Sequence, residues 1–375
     1  FTMPSPALPA IRDRFVLPDW ETGVVAASMS LGMLAAVWFW PTRSDAWGRT
    51  TVLKMSLSIT ALCFLLQAGL LRMEWFHAFL FMRLLTGCFA GCNPIFKAYL
   101  ADVVPPSELP RFMVWREASA TFAFIVGPLL GGLLTSQIGI AGPFVATFVA
   151  HGLGALMIFS GCVEESPVRL PDKVDESERH QSEDWPPLVI KVFIMSFFYV
   201  VSQTCFSIFT PLLLHDGFGF GAEAIGGFLT VVSSGVLACQ LLCYKPLERR
   251  LGLEYTGAVG ALTIMMGLLL MGLRNPFNQP YLLYLGGACY AFGSATFPAT
   301  VPTLLAKSVS RDQRGKVLGR DSLINNIGRV VTPLCLAVLY GQSRFLCFAA
   351  GSCASLMVIL MLLSIRREKL DKASN

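Results

Sequence analysis

The fold is decided by a charged stretch at residues 41–50, which reads PTRSDAWGRT. Long apolar runs flank it, at residues 22–40 and 52–71. A helix needs about 20 apolar residues to cross the hydrocarbon core of a bilayer. The two runs therefore predict membrane helices. The charged stretch predicts a tight turn between them, in which Gly48 permits the backbone reversal that a side chain would oppose.

The whole chain has the composition of an integral membrane protein. Its 375 residues are 54% hydrophobic and only 14% charged, and the mean hydropathy is +0.61. Soluble domains carry about 25% charged residues. The net charge of +5 does not indicate nucleic acid as a partner, because the basic residues lie at the ends of apolar runs rather than in one patch.

Eleven cysteines are scattered through the chain, mostly inside apolar runs. Two pairs are spaced four residues apart, Cys88 with Cys92 and Cys239 with Cys243, so each pair can share a helix face. Neither pair has the His or acidic companions of a metal centre. We interpret them as small buried hydrophobes and expect no metal site and no cofactor.

Eleven runs are long enough to span a bilayer. Because they are continuous rather than alternating, they predict helices and not the strands of a membrane barrel. The runs lie at residues 22–40, 52–71, 76–99, 112–134, 138–159, 188–214, 222–244, 255–273, 281–305, 315–339 and 345–365. Residues 1–9 resemble the end of one more helix that lacks its beginning. We therefore expect an all-α fold of two six-helix bundles, with helix one mostly missing.

The Lys and Arg residues predict how the spans are oriented. Most of these 29 residues lie in the loops after the first, third, fifth, seventh and ninth runs, or after the last run. Such a bias marks the cytoplasmic side of a membrane protein. One of these loops, residues 161–187, is polar and acidic, as is typical of a flexible linker. The expected organisation is an N-terminal bundle at 1–160, a cytoplasmic linker at 161–187, a C-terminal bundle at 188–365 and a cytoplasmic tail at 366–375.

The two halves of the chain also resemble each other. Residues 101–111 find a counterpart in residues 306–314, about two hundred positions later, and the same offset brings Pro94 to Pro298. Weak internal repetition between membrane halves is typical of transporters that rock about a central site.

Residues 44–49, SDAWGR, resemble the cytoplasmic loop signature of the major facilitator superfamily, G-x-x-x-D-x-x-G-R-[KR]. The matching residues are Asp45, Gly48 and Arg49. Pro41 stands in place of the first glycine, and Thr50 in place of the second basic residue. A degenerate second copy at residues 247–252 follows the seventh span, where the pseudo-repeat of the family places it.

Three further stretches resemble motifs of this family in the expected order. Residues 6–9 resemble the P-x-x-P end of its first helix, and residues 83–91 resemble the R-x-x-x-G-x-x-x-G pattern of its fourth helix. The G-P-x-x-G-G motif, most typical of the drug/proton antiporter branch, is matched by Gly127, Pro128, Gly131 and Gly132.

The resemblance implies roles for several charged residues. A conformational gate on the cytoplasmic face is expected at Asp45, Gly48 and Arg49, with Asp102 as the partner of Arg49. Arg83 is expected to act in proton coupling beside a carboxylate, although its position also allows it to snorkel to the outer interface. Glu117 is a second candidate for proton coupling, and its place near the cytoplasmic boundary favours an ion pair instead.

In the second half, the family architecture implies a substrate cavity lined by polar side chains. The candidates are Tyr199, Gln203, Tyr290, Asn325 and Arg329. Arg329 lies in the middle of a span, so we expect a buried positive charge that needs an anion or backbone carbonyls as partner.

Together these features predict a secondary active transporter that exports a small organic solute by alternating access, in exchange for protons. A symporter or a uniporter is the alternative within transport, and a receptor or sensor with the same fold is the alternative outside it. The sequence has no nucleotide loop, metal cluster or catalytic triad, so we expect no enzyme. The expected partners are a small-molecule solute, protons and the lipid bilayer, bound by a monomer. The identity of the solute does not follow from the sequence.

Overall fold

The computed structural model describes residues 2–90, 93–105, 107–161, 163, 185–273, 281–309 and 313–374. All regular secondary structure in this part of the chain is helical. The first half, after a short 3-10 turn at Ser5–Ala7, contains α1 (Leu8–Phe15), α2 (Asp19–Trp47), α3 (Arg49–Arg72), α4 (Phe76–Ala90), α5 (Asn93–Val103), α6 (Leu109–Ile138) and α7 (Gly142–Phe159).

The described part of the second half contains nine further α-helices and one π-helical segment. They are α8 (Pro187–Thr204), the π segment (Cys205–Phe209), α9 (Thr210–Phe218), α10 (Ala222–Leu242), α11 (Tyr244–Leu251), α12 (Leu253–Gly272), α13 (Tyr281–Thr296), α14 (Thr300–Ser308), α15 (Arg314–Gln342) and α16 (Arg344–Ser374).

Ten helical stretches of the described chain are long and apolar enough to cross a membrane. The run predicted at residues 281–305 falls on the two shorter helices α13 and α14. The last helix, α16, continues beyond residue 365 to Ser374, where the sequence predicts a tail. The predicted all-α membrane architecture is confirmed.

The turn predicted at residues 41–50 is wrong in its extent. Helix α2 continues through this stretch to Trp47, and α3 begins at Arg49. The reversal takes a single residue, Gly48, whose φ of 86° and ψ of 137° suit glycine and strain other residues. Because one glycine can redirect the backbone, the charged residues before it are free to form the last turns of α2.

The chain divides into two compact units. The first comprises Phe1–Val16 and Val25–Asp184, and the second comprises Leu17–Val24 and Trp185–Asn375. Most of the acidic linker predicted at residues 161–187 lies outside the described residues.

In the first unit, α3 packs against α4 and α7. Helices α2 and α4 approach at backbone distance, because both carry a glycine at the crossing. A Cβ added at Gly32 would come closer than 3.0 Å to the Leu84 carbonyl oxygen, and one at Gly87 would collide with the Met29 carbonyl oxygen. Without a hydrophobic driving force between helices in lipid, close packing of small residues is a main source of helix association.

In the second unit, α12 packs against α13 and α16. The seam between α12 and α13 is again lined with glycines, and Cβ atoms at Gly267 and Gly286 would each lie within 2.8 Å of atoms of the facing helix. The π segment packs nearby, where Phe206 stacks on Tyr290 with ring centroids 3.6 Å apart. Single-turn π segments inside α-helices are frequent at functional sites.

Candidate functional site

Arg49 is the centre of a charged cluster at the ends of α2, α3 and α5. Its guanidinium pairs with the Asp102 carboxylate, lies 3.0 Å from Asp45 Oδ1 and contacts Ser44 Oγ at 3.4 Å. The side chains of Arg49 and Asp102 are 14% and 5% exposed, whereas that of Asp45 is 47% exposed. The structure therefore brings together Asp45, Arg49 and Asp102, and the bent backbone at Gly48 positions Arg49 against both acids.

Helix dipoles alone would disfavour each charge in this cluster. Arg49 is the first residue of α3, at the positive end of its dipole, while Asp45 and Asp102 lie in the last turns of α2 and α5, at the negative ends. Each unfavourable interaction is modest, about 0.3–1 kcal/mol, and an opposite charge nearby offsets it. The cluster is consequently one interdependent unit, in which Arg49 offsets two acids.

Arg83 lies on α4 and bonds to α2. Its Nε donates to the Val25 carbonyl oxygen at 3.0 Å and lies 3.3 Å from Ser28 Oγ, and its guanidinium carbon is 5.9 Å from the centre of the Phe79 ring. Among the described residues, no carboxylate pairs with it. The expectation of a carboxylate beside Arg83 is therefore not met in the described part of the chain, since its donors reach a backbone carbonyl instead.

A polar pair that the sequence analysis missed lies one turn further along α4. Gln67 Nε2 donates to Thr86 Oγ1 at 2.6 Å, and Thr86 Oγ1 donates to the Met82 carbonyl oxygen at 2.6 Å. Both Gln67 and Thr86 are buried. A glutamine in the middle of the apolar run at residues 52–71 was the available signal, because an amide in a membrane helix needs a polar partner.

The G-P-x-x-G-G motif forms the buried face of α6. Gly127, Pro128, Gly131 and Gly132 are all buried, and α6 remains continuous through the proline. Cβ atoms added at Gly127 and Gly131 would collide with Thr2 Oγ1 and with the Met3 carbonyl oxygen. Thr2 Oγ1 also donates to the Ala123 carbonyl oxygen at 2.9 Å. The motif thus lets the N-terminal segment lie directly on α6.

Glu117 lies two turns into α6 and forms ion pairs. Its carboxylate contacts the Arg116 guanidinium and lies 3.7 Å from Lys97 Nζ, and its side chain is 62% exposed. This is the ion-pair arrangement that its sequence position favours over proton coupling.

Among the aromatic cavity candidates of the second unit, Tyr199 on α8 packs against the same hydrophobic cluster that contains Tyr290 on α13. The Tyr199 ring lies 4.4 Å from that of Phe297, while Tyr290 is buried and stacked on Phe206. Gln203, one turn after Tyr199, is partly accessible.

Arg329 has more than a third of its surface accessible, yet protein atoms surround its guanidinium and desolvate it, so the expectation of a buried charge stays a prediction. The adjacent Gly328 turns that part of α15 toward Val200 on α8, where an added Cβ would lie 2.9 Å from Val200 Cγ1. The next residue along the helix points to a different side, which leaves part of Arg329 accessible. No acid among the described residues pairs with it.

Asn325 belongs to a buried chain of polar side chains. Ser196 Oγ on α8 donates to Asn325 Oδ1 at 3.0 Å, and Asn325 Nδ2 donates to Asp321 Oδ2 at 3.1 Å. Sequence reasoning selected Asn325 but missed Asp321 and Ser196. Asp321 lies within a span four residues before Asn325, and this helical spacing could have paired them.

Comparison with known proteins assigns the family. A model described as Major Facilitator Superfamily matches residues 1–272 and 192–375. The chain belongs to the major facilitator superfamily. The motif resemblances found in the first half are therefore those of a true member, and the chain is a membrane transporter rather than an enzyme.

Relatives from within this superfamily match most of the chain. Multidrug resistance protein 2 of Bacillus subtilis (strain 168) is 24% identical over 352 residues, which are 89% of this chain and 84% of that protein. The class H tetracycline resistance protein of Pasteurella multocida is also 24% identical, over 90% of this chain and 84% of its own length. The human Hippocampus abundant transcript 1 protein is 25% identical over 80% of this chain and 60% of its own length.

Solved structures show the same fold. The human organic anion transporter MFSD10 (TETRAN) superposes with a TM-score of 0.68 at 20% identity, covering 96% of this chain and 89% of its own. A D-xylose–proton symporter superposes with a TM-score of 0.74 at 14% identity, covering 95% and 92%. The predicted major facilitator fold is confirmed.

Proposed function

We propose that this transporter exports a small organic solute from the cytoplasm in exchange for protons, by alternating access. The observation that carries the proposal is that relatives named for multidrug resistance and for tetracycline resistance match about nine tenths of the chain. Protection by a membrane transporter requires that the compound be moved out of the cell. The G-P-x-x-G-G motif on α6 supports the same branch of the superfamily.

The orientation that fits this proposal puts the Arg49 cluster, the central linker and the C-terminus in the cytoplasm. The excess of Lys and Arg in the loops on that side supports it. Export then begins from a state that is open toward the Arg49 cluster.

In this cycle, the Arg49 cluster acts as the gate. Arg49 and Asp102 form its fixed part, because both side chains are shielded from solvent. Asp45 is the exchangeable partner, since its side chain is half exposed and is held by a single 3.0 Å contact with Arg49. A conformational change that moves the end of α2 breaks the contact between Arg49 and Asp45 and keeps the one between Arg49 and Asp102.

Arg83 acts in coupling by its charge and not by carrying a proton. A guanidinium stays protonated in proteins, so it donates hydrogen bonds but does not release its proton during turnover. Its bond to the Val25 carbonyl oxygen joins α4 to α2, so the charge is held at the crossing of two helices. From there it biases the protonation of an acid elsewhere in the pathway.

The test is tetracycline uptake into proteoliposomes that contain the full chain, with protein-free liposomes as the baseline. An antiporter takes up tetracycline when the lumen is more acidic than the outside, because protons leaving the vesicle drive the solute inward. A symporter needs the opposite gradient, a uniporter responds to neither, and a receptor binds without flux. Uptake that ignores the pH gradient would overturn the proposed exchange.

Arg83 variants test the coupling step in the same assay. Arg83→Ala and Arg83→Lys should both lose gradient-driven uptake, because lysine has no donor at the Nε position that bonds to the Val25 carbonyl oxygen and approaches the Ser28 hydroxyl. Arg72→Ala is the matched control, since Arg72 is exposed at the end of α3. Gradient-driven uptake that survives in folded Arg83→Ala would refute a coupling role for this residue.

A further inference from the structure

Asp321 is the acid that the described chain buries. Counted over the whole residue, it is the one charged residue of the described chain below 9% exposure, at 8%; the shielded side chain of Asp102 differs in that it pairs with Arg49. It lies two turns inside α15, within a stretch apolar enough to span the membrane. A negative charge in such surroundings is costly unless it is paired, and acids inside membrane spans commonly mark ion pathways.

The hydrogen bonds of Asp321 leave one oxygen free. Asn325 Nδ2 donates to Oδ2 at 3.1 Å, and the Asn325 amide is held in turn by Ser196 Oγ, 3.0 Å from its oxygen. Oδ1 is fully buried and has no hydrogen-bond partner among the described residues. One carboxylate oxygen is thus bound to a neutral amide, and the other has no hydrogen bond of good geometry among the described residues, while the Ser196 hydroxyl also lies close to the carboxylate.

Charged groups on the neighbouring elements are engaged elsewhere or exposed. Helix α15 packs against α8, α14, α16 and the π segment. On these elements Lys191 pairs with Glu368, Arg366 lies 3.6 Å from the centre of the Tyr255 ring, and Arg367 is exposed. The side chain of Lys307 on α14 lies outside the described part.

The basic and phenolic groups nearest in sequence do not neutralise Asp321 either. On α15 itself, Arg320 lies over the Trp185 ring at 5.7 Å, Arg329 is exposed within electrostatic range of Tyr199, and Arg314 and Lys316 are exposed. No ion pair to Asp321 is formed in the described part of the chain. The cost of its charge is therefore not offset by a cation.

The internal repeat sharpens this observation. The offset that relates the two halves brings Arg116 and Glu117 on α6 to Arg320 and Asp321 on α15. Glu117 is 62% exposed and pairs with Arg116 and Lys97. Asp321 is buried and its preceding arginine contacts a tryptophan instead. The same position thus holds a surface ion pair in one half and an isolated buried acid in the other.

We propose that Asp321, Asn325 and Ser196 form a proton-binding site within the second unit. The proton adds to Oδ1 and converts the carboxylate into a neutral carboxyl, while Asn325 continues to donate to Oδ2. Ser196 positions the Asn325 amide so that its N–H faces the carboxylate.

A metal cation fits this site less well than a proton. The amide oxygen of Asn325 already accepts a hydrogen bond and its nitrogen faces Asp321, so the cluster offers one free oxygen, Oδ1. Hard cations need several oxygen ligands, whereas a proton needs a single lone pair.

The role of this site in transport rests on the proposed proton exchange, but proton binding itself can be measured without a solute. Infrared difference spectra between acidic and neutral pH, recorded on the full chain in lipid, should show the C=O stretch of a protonated buried carboxyl. The band should be absent from Asp321→Asn and present in Asp13→Asn, a control at a half-exposed acid on α1. Asn325→Ala should shift its frequency, because the hydrogen bond to Oδ2 is lost.

Far-UV circular dichroism of each variant separates loss of the band from loss of the fold. A band that persists unchanged in folded Asp321→Asn would overturn the proposal. A band that responds to replacing choline with Na⁺ would also overturn it, in favour of a cation site. The transport arm uses tetracycline: Asp321→Asn should retain the exchange of tetracycline for tetracycline at equal pH and lose the acceleration of its uptake by a pH gradient. If the unmodified chain moves no tetracycline, the proposed function fails while the infrared result still decides the site.

Discussion

Two kinds of residue fix the local structure at two places in the first unit. Arg49 neutralises two acids that their own helix dipoles disfavour, and the glycines of α6 allow a backbone to lie where any side chain would collide. The charge of Arg49 and the absence of a side chain at each glycine are properties of single residues, so single substitutions test them.

Arg49→Ala should destabilise the protein strongly. It removes the guanidinium that pairs with the carboxylate of Asp102, which is 5% exposed, and removing one member of a buried pair costs about 3–5 kcal/mol. Thermal unfolding of the purified protein in detergent measures the effect. Arg43→Ala is the control, because Arg43 is exposed and lies over the Phe39 and Trp47 rings, contacts worth about 0.5–1 kcal/mol.

Adding Asp102→Asn to Arg49→Ala should recover part of the lost stability, because the Asp102 carboxylate that Arg49 neutralised is then replaced by a neutral amide. Equal effects of Arg49→Ala and Arg43→Ala would contradict the assignment of Arg49 as the centre of the cluster.

Gly131→Ala should destabilise the first unit by about 1–3 kcal/mol, the usual cost of overpacking. The added Cβ would collide with the Met3 carbonyl oxygen, and backbone cannot move aside as a flexible side chain can. Gly152→Ala on α7 is the matched control, because its Cβ meets nothing within 4 Å and alanine is favoured over glycine in a helix by about 0.5–1 kcal/mol. A melting temperature for Gly131→Ala at or above that of Gly152→Ala would contradict the close approach.

At the scale of residues, contacts between residues of a known motif could be predicted from the sequence. The burial of individual side chains could not, because it depends on how the helices pack. The partnership of Arg49 with Asp102 followed from the family resemblance, and the structure contains the pair. The burial of Asp321 did not follow, because an acid amid the basic residues that begin α15 resembles a surface charge until the face packed on α8 is known.

At the scale of elements, the reversals between helices depend on single glycines. Gly48 and Gly252 occupy equivalent positions of the internal repeat and both precede a helix with positive φ, 86° and 80°. The degenerate second copy of the motif at residues 247–252 thus keeps the backbone conformation that the glycine of the first copy adopts. The spans were predictable because length and hydropathy specify membrane helices. The extent of α2 could not be predicted, because a charged stretch that contains a proline is typical of a turn.

Gly252→Ala should destabilise the protein through the backbone alone. Its φ of 80° and ψ of 169° suit glycine, and forcing another residue into such a region costs about 1–3 kcal/mol. An added Cβ would meet nothing within 4 Å, so no collision contributes. Gly227→Ala inside α10 also meets nothing and has no positive φ, so its melting temperature should not fall. Equal melting temperatures for the two variants would argue against backbone strain at Gly252.

The π segment at Cys205–Phe209 is a further element that the apolar run at residues 188–214 does not reveal. Its surroundings are tertiary: Phe206 stacks on Tyr290, and Cys205 Sγ lies 2.8 Å from where a Cβ at Gly351 would stand. The wider helical turn of the π segment depends on these neighbours. The periodicity of the sequence does not show which residues they are.

At the scale of the whole molecule, the two units of this major facilitator differ in the charges that they hold inside membrane helices. The first unit holds Arg83 between α2 and α4 without a described acid partner, and the second holds Asp321 without a described cation.

The most direct test of proton exchange is solute-driven proton movement. Proteoliposomes loaded with tetracycline and a pH-sensitive dye are diluted into tetracycline-free buffer of equal pH, beside protein-free liposomes. The account predicts that the lumen acidifies as tetracycline leaves and protons enter, and that Asp321→Asn and Arg83→Ala abolish the acidification. A lumen that becomes alkaline, or tetracycline efflux with no change of pH beyond that of the protein-free liposomes, would contradict it.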